Sequence, residues 1–148
     1  MIYNYFDEIK IGDKIVSRGR TVTEADVVLF CMFTGNWLEI HSNAEFAKTT
    51  RWGERIVQGT LVFSWIPGLL PVGPAGRVIA FYGVDKIRFT APVMIGDTVH
   101  AETEVVAKDE KDENSGVVTQ SVAVKNQRGE TVQVSVYRNL VAKKPKEA

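Results

Sequence analysis

The sequence predicts an α+β domain in which an antiparallel sheet wraps around one buried helix. Three observations lead there. Residues 55–70 are apolar nearly all round, the pattern of a helix enclosed by a core rather than laid on a surface. From Arg77 onward the periodicity changes to alternation at every second residue, in segments separated by turn-forming residues. The first half, by contrast, reads mostly helical, so helices and strands are segregated along the chain.

In chain order, residues 14–22 predict a strand after the turn at Gly12-Asp13. Thr23-Glu24-Ala25-Asp26 has the Thr-x-x-acid form of a capping box and opens a helix that Gly35 closes. Asn43 is placed to cap a short helix over residues 44–49. His41 then falls in the connection between two helices, where functional side chains are often presented. Pro67 and Gly68 are expected to break or end the buried helix. Strands follow at residues 78–89, 98–107, 117–125 and 131–142. In them Val99, Ala101, Thr103 and Val105 alternate with His100, Glu102 and Glu104, and Val132, Val134 and Val136 with Thr131, Gln133 and Ser135, as in half-buried antiparallel strands. Residues 109–116 and 126–129 read as hairpin turns. Residues 1–7 and 143–148 read as tails of a single domain spanning residues 1–148.

Composition narrows the function classes. At 148 residues the chain has the size of one domain and can bury about 68–70% of its unfolded surface. Lys plus Arg balance Asp plus Glu at 18 each, which argues against a general nucleic-acid surface. Cys31, the only cysteine, excludes an intrachain disulfide and favours a reducing, cytoplasmic setting; its apolar neighbours mark it as core. The start of the chain lacks a basic region leading into an apolar stretch, so neither export nor a membrane partner is expected. There is no phosphate loop or dinucleotide fingerprint, and one Cys with two His leaves little for a metal site, so no cofactor or metal is expected. His100 falls on the polar face of its strand and reads as structural.

The most informative segment is Thr34-Gly35-Asn36-Trp37-Leu38-Glu39-Ile40-His41, which puts a helix stop, an amide and an imidazole within one short turn. It resembles the signature of the MaoC-like, (R)-specific enoyl-CoA hydratases, a Gly-Asp-x-Asn-Pro-x-His run followed by a small residue. Gly35, His41 and Ala47 match in type and spacing. Asn36 stands where that family has its catalytic Asp, and Leu38 and Glu39 where it has Asn and Pro. Ile56-Val57-Gln58-Gly59, with Ser64 and Gly68-Leu69-Leu70, looks like the Ile-Val-His-Gly run that opens the family's central helix; Phe89, Ala91-Pro92-Val93 and Gly96-Asp97 look like its next strand and turn. The resemblance runs roughly from Glu8 to Val106 and implies the hot-dog fold.

It also implies a chemistry. Adding water to an enoyl thioester needs one group to take a proton from water and one to deliver a proton to the alpha carbon. In the resembling enzymes an Asp and a His do this together. Asn36 can orient a water but is no base near neutrality, so an imidazole at His41 would act alone or with a carboxylate such as Glu39. Gly59 lacks a side chain near the start of a buried helix, which lets a ligand carbonyl approach free backbone N–H groups; close packing is the other reading. Ser64 either lines the pocket or bonds its own helix. Trp37, Trp52, Phe63 and Trp65 are candidates for an acyl pocket or for plain core, and Lys86, Arg88, Arg51 and Arg55 for coenzyme A phosphates.

The resemblance therefore implies a homodimer, or a multiple of dimers, acting on an acyl-CoA or acyl-carrier thioester. The activity implied is hydratase or dehydratase, with His41 and Asn36 as catalytic candidates and Gly59, Ser64, Trp37 and Gln58 as substrate-binding ones. Two alternatives remain open: a thioester-binding protein or silent subunit of a hetero-oligomer, which Asn36 favours, and a hot-dog thioesterase, which wants a carboxylate base.

Overall fold

The computed structural model describes residues 4–71, 73 and 77–145. Strands β1 (Lys14–Val16), β2 (Arg20–Thr21), β3 (Val78–Phe89), β4 (Thr98–Glu110), β5 (Ser115–Asn126) and β6 (Thr131–Ala142) form one antiparallel sheet. Its order is β1-β4-β5-β6-β3, with β2 also pairing β4, so β3 lies at an edge. Helices α1 (Glu24–Thr34), α2 (Glu39–Ser42), α3 (Ala44–Lys48) and α4 (Gly59–Leu69) come between β2 and β3 in the chain. Leu61, Val62 and Ile66 of α4 pack into one buried cluster with Val99 and Ala101 of β4, Val122 and Val124 of β5, and Val132 and Tyr137 of β6. An apolar helix inside a curved antiparallel sheet is the hot-dog arrangement, an α+β fold.

Local chemistry explains the elements around the site. Thr23 and Asp26 form the reciprocal capping box of α1, with Asp26 N–H donating to Thr23 Oγ1 at 3.3 Å and Thr23 N–H to Asp26 Oδ2 at 2.9 Å. Gly35 ends α1 in the left-handed region, φ 71°, where a side chain would be strained. Asn43 Oδ1 accepts the Phe46 N–H at 3.0 Å and starts α3.

The structure departs from the sequence expectations in definable ways. The strand expected over residues 14–22 is two short pieces, because the Ser17 hydroxyl accepts the Ala101 N–H at 2.8 Å where a continuous ladder would use backbone. The buried helix begins at Gly59 instead of Arg55: Ile56 forms a bridge with Met94 and the Val57 N–H donates to Val93 O at 2.8 Å, holding this segment extended. Pro67 and Gly68 lie in the last turn of α4, which ends one residue on at Leu69, so the pair marks the end of the helix although Pro67 itself is helical. The hairpin expected over residues 109–116 tightens to residues 111–114, where the Asp112 carboxylate accepts the Asn114 N–H at 2.9 Å.

The expected tails are partly held. Phe6–Glu8 forms a 3₁₀ turn, and Phe6 is buried against Ile9, Val105, Val118 and Val141. Gly116 lies so close to the Phe6 ring that any side chain there would overlap it. Lys144 N–H donates to Asp7 Oδ2 at 2.8 Å, tying the two ends together. Residues 1–3 and 146–148 of those tails lie outside the described residues.

Candidate active site

His41 lies within the one-turn helix α2, not in an irregular connection, and is 8% exposed. Its Nδ1 is 2.7 Å from Ile56 O. A carbonyl can only accept, so Nδ1 carries the hydrogen and donates, which leaves Nε2 as the acceptor of the neutral ring. The Ile56 N–H donates in return to Ile40 O at 3.2 Å, so the extended segment before α4 is laced to α2 through both its polar groups. That lacing fixes both the tautomer and the position of the imidazole.

His41 lines a cavity of about 310 Å³ together with Gly59 and Val62 of α4 and Arg51 and Trp52 from the turn after α3. Phe89 at the end of β3 and Val132 and Gln133 of β6 complete much of the wall. Gly59 is the first residue of α4, and the cap residue Gln58 makes no side-chain cap bond. The first N–H groups of a helix have no intrahelical acceptor, so this end presents donors and the positive pole of the dipole. Both readings of Gly59 apply: it lines the cavity, and a Cβ there would come within 2.7–2.9 Å of Phe89 ring atoms.

Of the remaining catalytic and substrate-binding candidates, Asn36, Trp37, Ser64 and Gln58 are not among the described residues lining this cavity. Asn36 is half-buried, with its N–H donated to Thr34 Oγ1 at 3.3 Å. Trp37 is 51% exposed. Ser64 Oγ donates to Leu61 O of its own helix at 2.7 Å. Gln58 is buried, and its Nε2 donates to Cys31 Sγ at 3.0 Å, so the lone cysteine is core. Glu39, a possible partner base, is exposed and accepts from Asn43 Nδ2 at 3.1 Å. No carboxylate is found among the described lining residues.

Of the four basic candidates only Arg51 reaches the cavity, its guanidinium stacked 4.2 Å from the Trp52 ring centre. Arg55 is engaged instead by Glu24 of α1 through two hydrogen bonds, which hold the Glu24 carboxyl below its ordinary range against a smaller opposing effect of burial. Lys86 lies in another depression of the sheet, and Arg88 donates to Ile87 O. His100 bonds Glu102 at 3.2 Å, a structural role. No cluster of three or more His, Cys, Asp or Glu suited to a metal occurs among the described residues. Among them, too, no helix is long and apolar enough to cross a membrane.

Sequence reasoning missed Gln133, and the reason is instructive. Alternation put Val132, Val134 and Val136 on one face and the polar residues on the other. In the fold Gln133, Ser135 and Tyr137 are the buried set, while Val134 and Val136 are half-buried. A register irregularity opposite Val124/Lys125 takes Val132 out of the ladder, so Val132 and Gln133 both turn inward.

The chain matches the MaoC like domain family over residues 8–127. It belongs to that family. This MaoC-like chain is 36% identical over 111 residues to Protein MaoC of Klebsiella aerogenes, a match covering 75% of the chain and 33% of that protein, so it spans only a third of that relative's length. It is 35% identical over 105 residues to the (R)-specific enoyl-CoA hydratase of Rhodospirillum rubrum, covering 71% of the chain and 72% of the relative. Among solved structures, one described as a monoamine oxidase regulatory protein from Archaeoglobus fulgius superposes with a TM-score of 0.91 at 44% identity, covering 97% of each chain. The family is one of hydratases and dehydratases.

Proposed function

We propose that this MaoC-like protein interconverts an enoyl thioester and the 3-hydroxyacyl thioester, with His41 as its base and acid. The observation that carries the reading is the Nδ1 bond to Ile56 O, which presents an imidazole acceptor at Nε2 in the same cavity as the uncapped start of α4. With the thioester carbonyl at the α4 N-terminus, the donors and dipole there would stabilise the enolate oxygen that develops as water adds to the beta carbon. Nε2 takes one proton from that water and returns it to the alpha carbon. Arg51 over Trp52 supplies a cation suited to a coenzyme A phosphate, while a carrier-protein thioester would fit the same chemistry. The exposed β3 edge supports a homodimer, and the single buried cysteine suits a cytoplasmic setting.

A second reading is favoured by one observation. Asn36 is no carboxylate, and the described cavity wall holds none, which suits a protein that binds thioesters without turnover or serves as the silent subunit of a hetero-oligomer. The same lack speaks against the thioesterase alternative. Incubation with crotonyl-CoA, following loss of the conjugated enoyl absorbance, tests the proposal. Hydration is expected, and His41→Ala should slow it about 10²- to 10⁴-fold. Hydration undiminished in His41→Ala would refute the site; thioester binding without any turnover would favour the second reading.

A further inference from the structure

We propose that Gln133 is the group that holds the water beside His41, its side-chain carbonyl accepting a hydrogen bond from the attacking water and from the 3-hydroxyl that water becomes. This rests on the reading of the cavity as a thioester site. Gln133 is 1% exposed and forms part of the cavity wall. Its Nε2 donates to the buried Ser135 Oγ at 3.3 Å, while Oε1 has no partner. A buried acceptor left unpaired costs about 1–3 kcal/mol, and native proteins leave few. Oε1 has almost no accessible surface as the side chain stands, and rotation about its broad terminal torsion turns it toward the cavity, where a ligand can supply the missing donor.

The two other unpartnered buried side-chain atoms among the described residues, Gln58 Oε1 and Tyr137 Oη, belong to side chains that do not line this cavity. Tyr137 is flanked by the rings of Phe63 and Phe81, with centroids at 6.0 and 4.9 Å. Gln133 alone of the three pairs a buried, unsatisfied acceptor with the site. It also meets a chemical need. His41 has no carboxylate beside it in the cavity, and Asn36, the amide in the signature segment, is not on the described wall.

The step balances. The water oxygen forms a bond to the beta carbon as the alkene π pair moves toward the carbonyl oxygen, held at the start of α4. One water proton goes to His41 Nε2. The other stays on the new hydroxyl, hydrogen-bonded to Gln133 Oε1. The imidazolium then protonates the alpha carbon, the enolate pair forms the new C–H bond, and His41 returns to its neutral tautomer. An amide carbonyl orients the water without titrating.

The test compares binding of 3-hydroxybutyryl-CoA and butyryl-CoA by calorimetry, with hydration of crotonyl-CoA measured alongside. The wild type should bind the hydroxy thioester at least fivefold more tightly. Gln133→Met should erase that preference while leaving butyryl-CoA affinity within threefold, and should lower kcat at least tenfold with little change in KM. A purely structural role would weaken both thioesters together. Gln133→Glu keeps the acceptor, so it should retain hydration and gain an acidic limb in its pH profile. Absence of any hydroxyl preference in the wild type, which needs no variant, overturns the assignment, as does a preference that survives Gln133→Met. If both thioesters bind equally, the site reading stands and Gln133 falls alone; if neither binds, the site reading itself falls and this inference with it.

Discussion

At position 36 the residue pattern and the fold give different expectations. Aligned on the family motif, Asn36→Asp restores the missing base and should raise hydration at least tenfold. In the fold, Asn36 follows the left-handed Gly35 and is not on the described wall of the His41 cavity. On that placement Asn36→Asp is expected to change kcat less than about threefold, measured on crotonyl-CoA. A tenfold gain would return residue 36 to the chemistry. His41 and Gly59 were legible because each has a type-specific reason at its position: an imidazole beside a helix stop, and a glycine where α4 begins. For Ser64 the sequence left two readings open and the structure takes the second, its hydroxyl bonded to Leu61 O of its own helix; Trp37 was not legible, because nothing in the sequence says that it points to solvent. Which way a side chain faces is decided by tertiary packing.

At the scale of elements, types and order were legible while edges and phases were not. The capping box at Thr23 and the stop at Gly35 bound α1 as expected, because caps are local chemistry. The start of α4 depends instead on Ile56 and Val57 pairing with residues far along the chain, which no local pattern records. The facing of Gln133 depends on a ladder irregularity between β5 and β6. One turn holds such long-range geometry through a single carboxylate. Asp97 is 4% exposed and accepts from Met94 N–H at 3.0 Å, Gln127 Nε2 at 2.6 Å and Arg128 at 2.7 and 3.2 Å, so it ties the turn before β4 to the β5–β6 turn. Burial alone would push its carboxyl up, but Arg128, the Met94 N–H and the Gln127 amide together hold it below the ordinary range. A folded pKa below the unfolded one stabilises fully above about pH 4, the unfolded carboxyl value, and the gain is lost as pH falls through the folded pKa. Asp97→Asn should therefore unfold more easily than wild type by about 2 kcal/mol at pH 7, with the gap closing in acid. Denaturant melts at pH 7 and at successive pH values below 4 measure it; a gap independent of pH would mean that the charge contributes nothing.

At the scale of the whole molecule, the sheet has an edge that the fold leaves open. β3 pairs with β6 on one side only. Its second half is blunted in the usual ways: Asp85 pairs with Arg138 at 2.9 Å, the register shifts between Asp85 and Arg88, and Lys86 takes a left-handed φ of 54°. Its first half carries register shifts too, between Val78 and Ala80 and between Phe81 and Gly83, yet leaves Ile79, Phe81 and Tyr82 51–53% exposed along the open edge. Two copies joined through this half about a two-fold axis would extend the sheet and cover those side chains. The outer face of α1, where Leu29, Met32 and Phe33 are exposed, is a second apolar surface that a multiple of dimers could cover. Light scattering at micromolar concentration should give twice the chain mass, and Ile79→Lys should give the chain mass with the sheet's circular dichroism unchanged. A wild type that is already monomeric defeats the dimer, whereas an Ile79→Lys protein that stays dimeric moves the interface to α1. Assembly should also reach the chemistry. Phe89, the last residue of β3, lies against Gly59 and forms part of the His41 cavity, so whatever holds the edge strand in place also sets that wall. The Ile79→Lys monomer should accordingly bind acyl-CoA at least tenfold more weakly than the dimer although no cavity residue is changed, and equal affinity would mean that each chain completes its site alone.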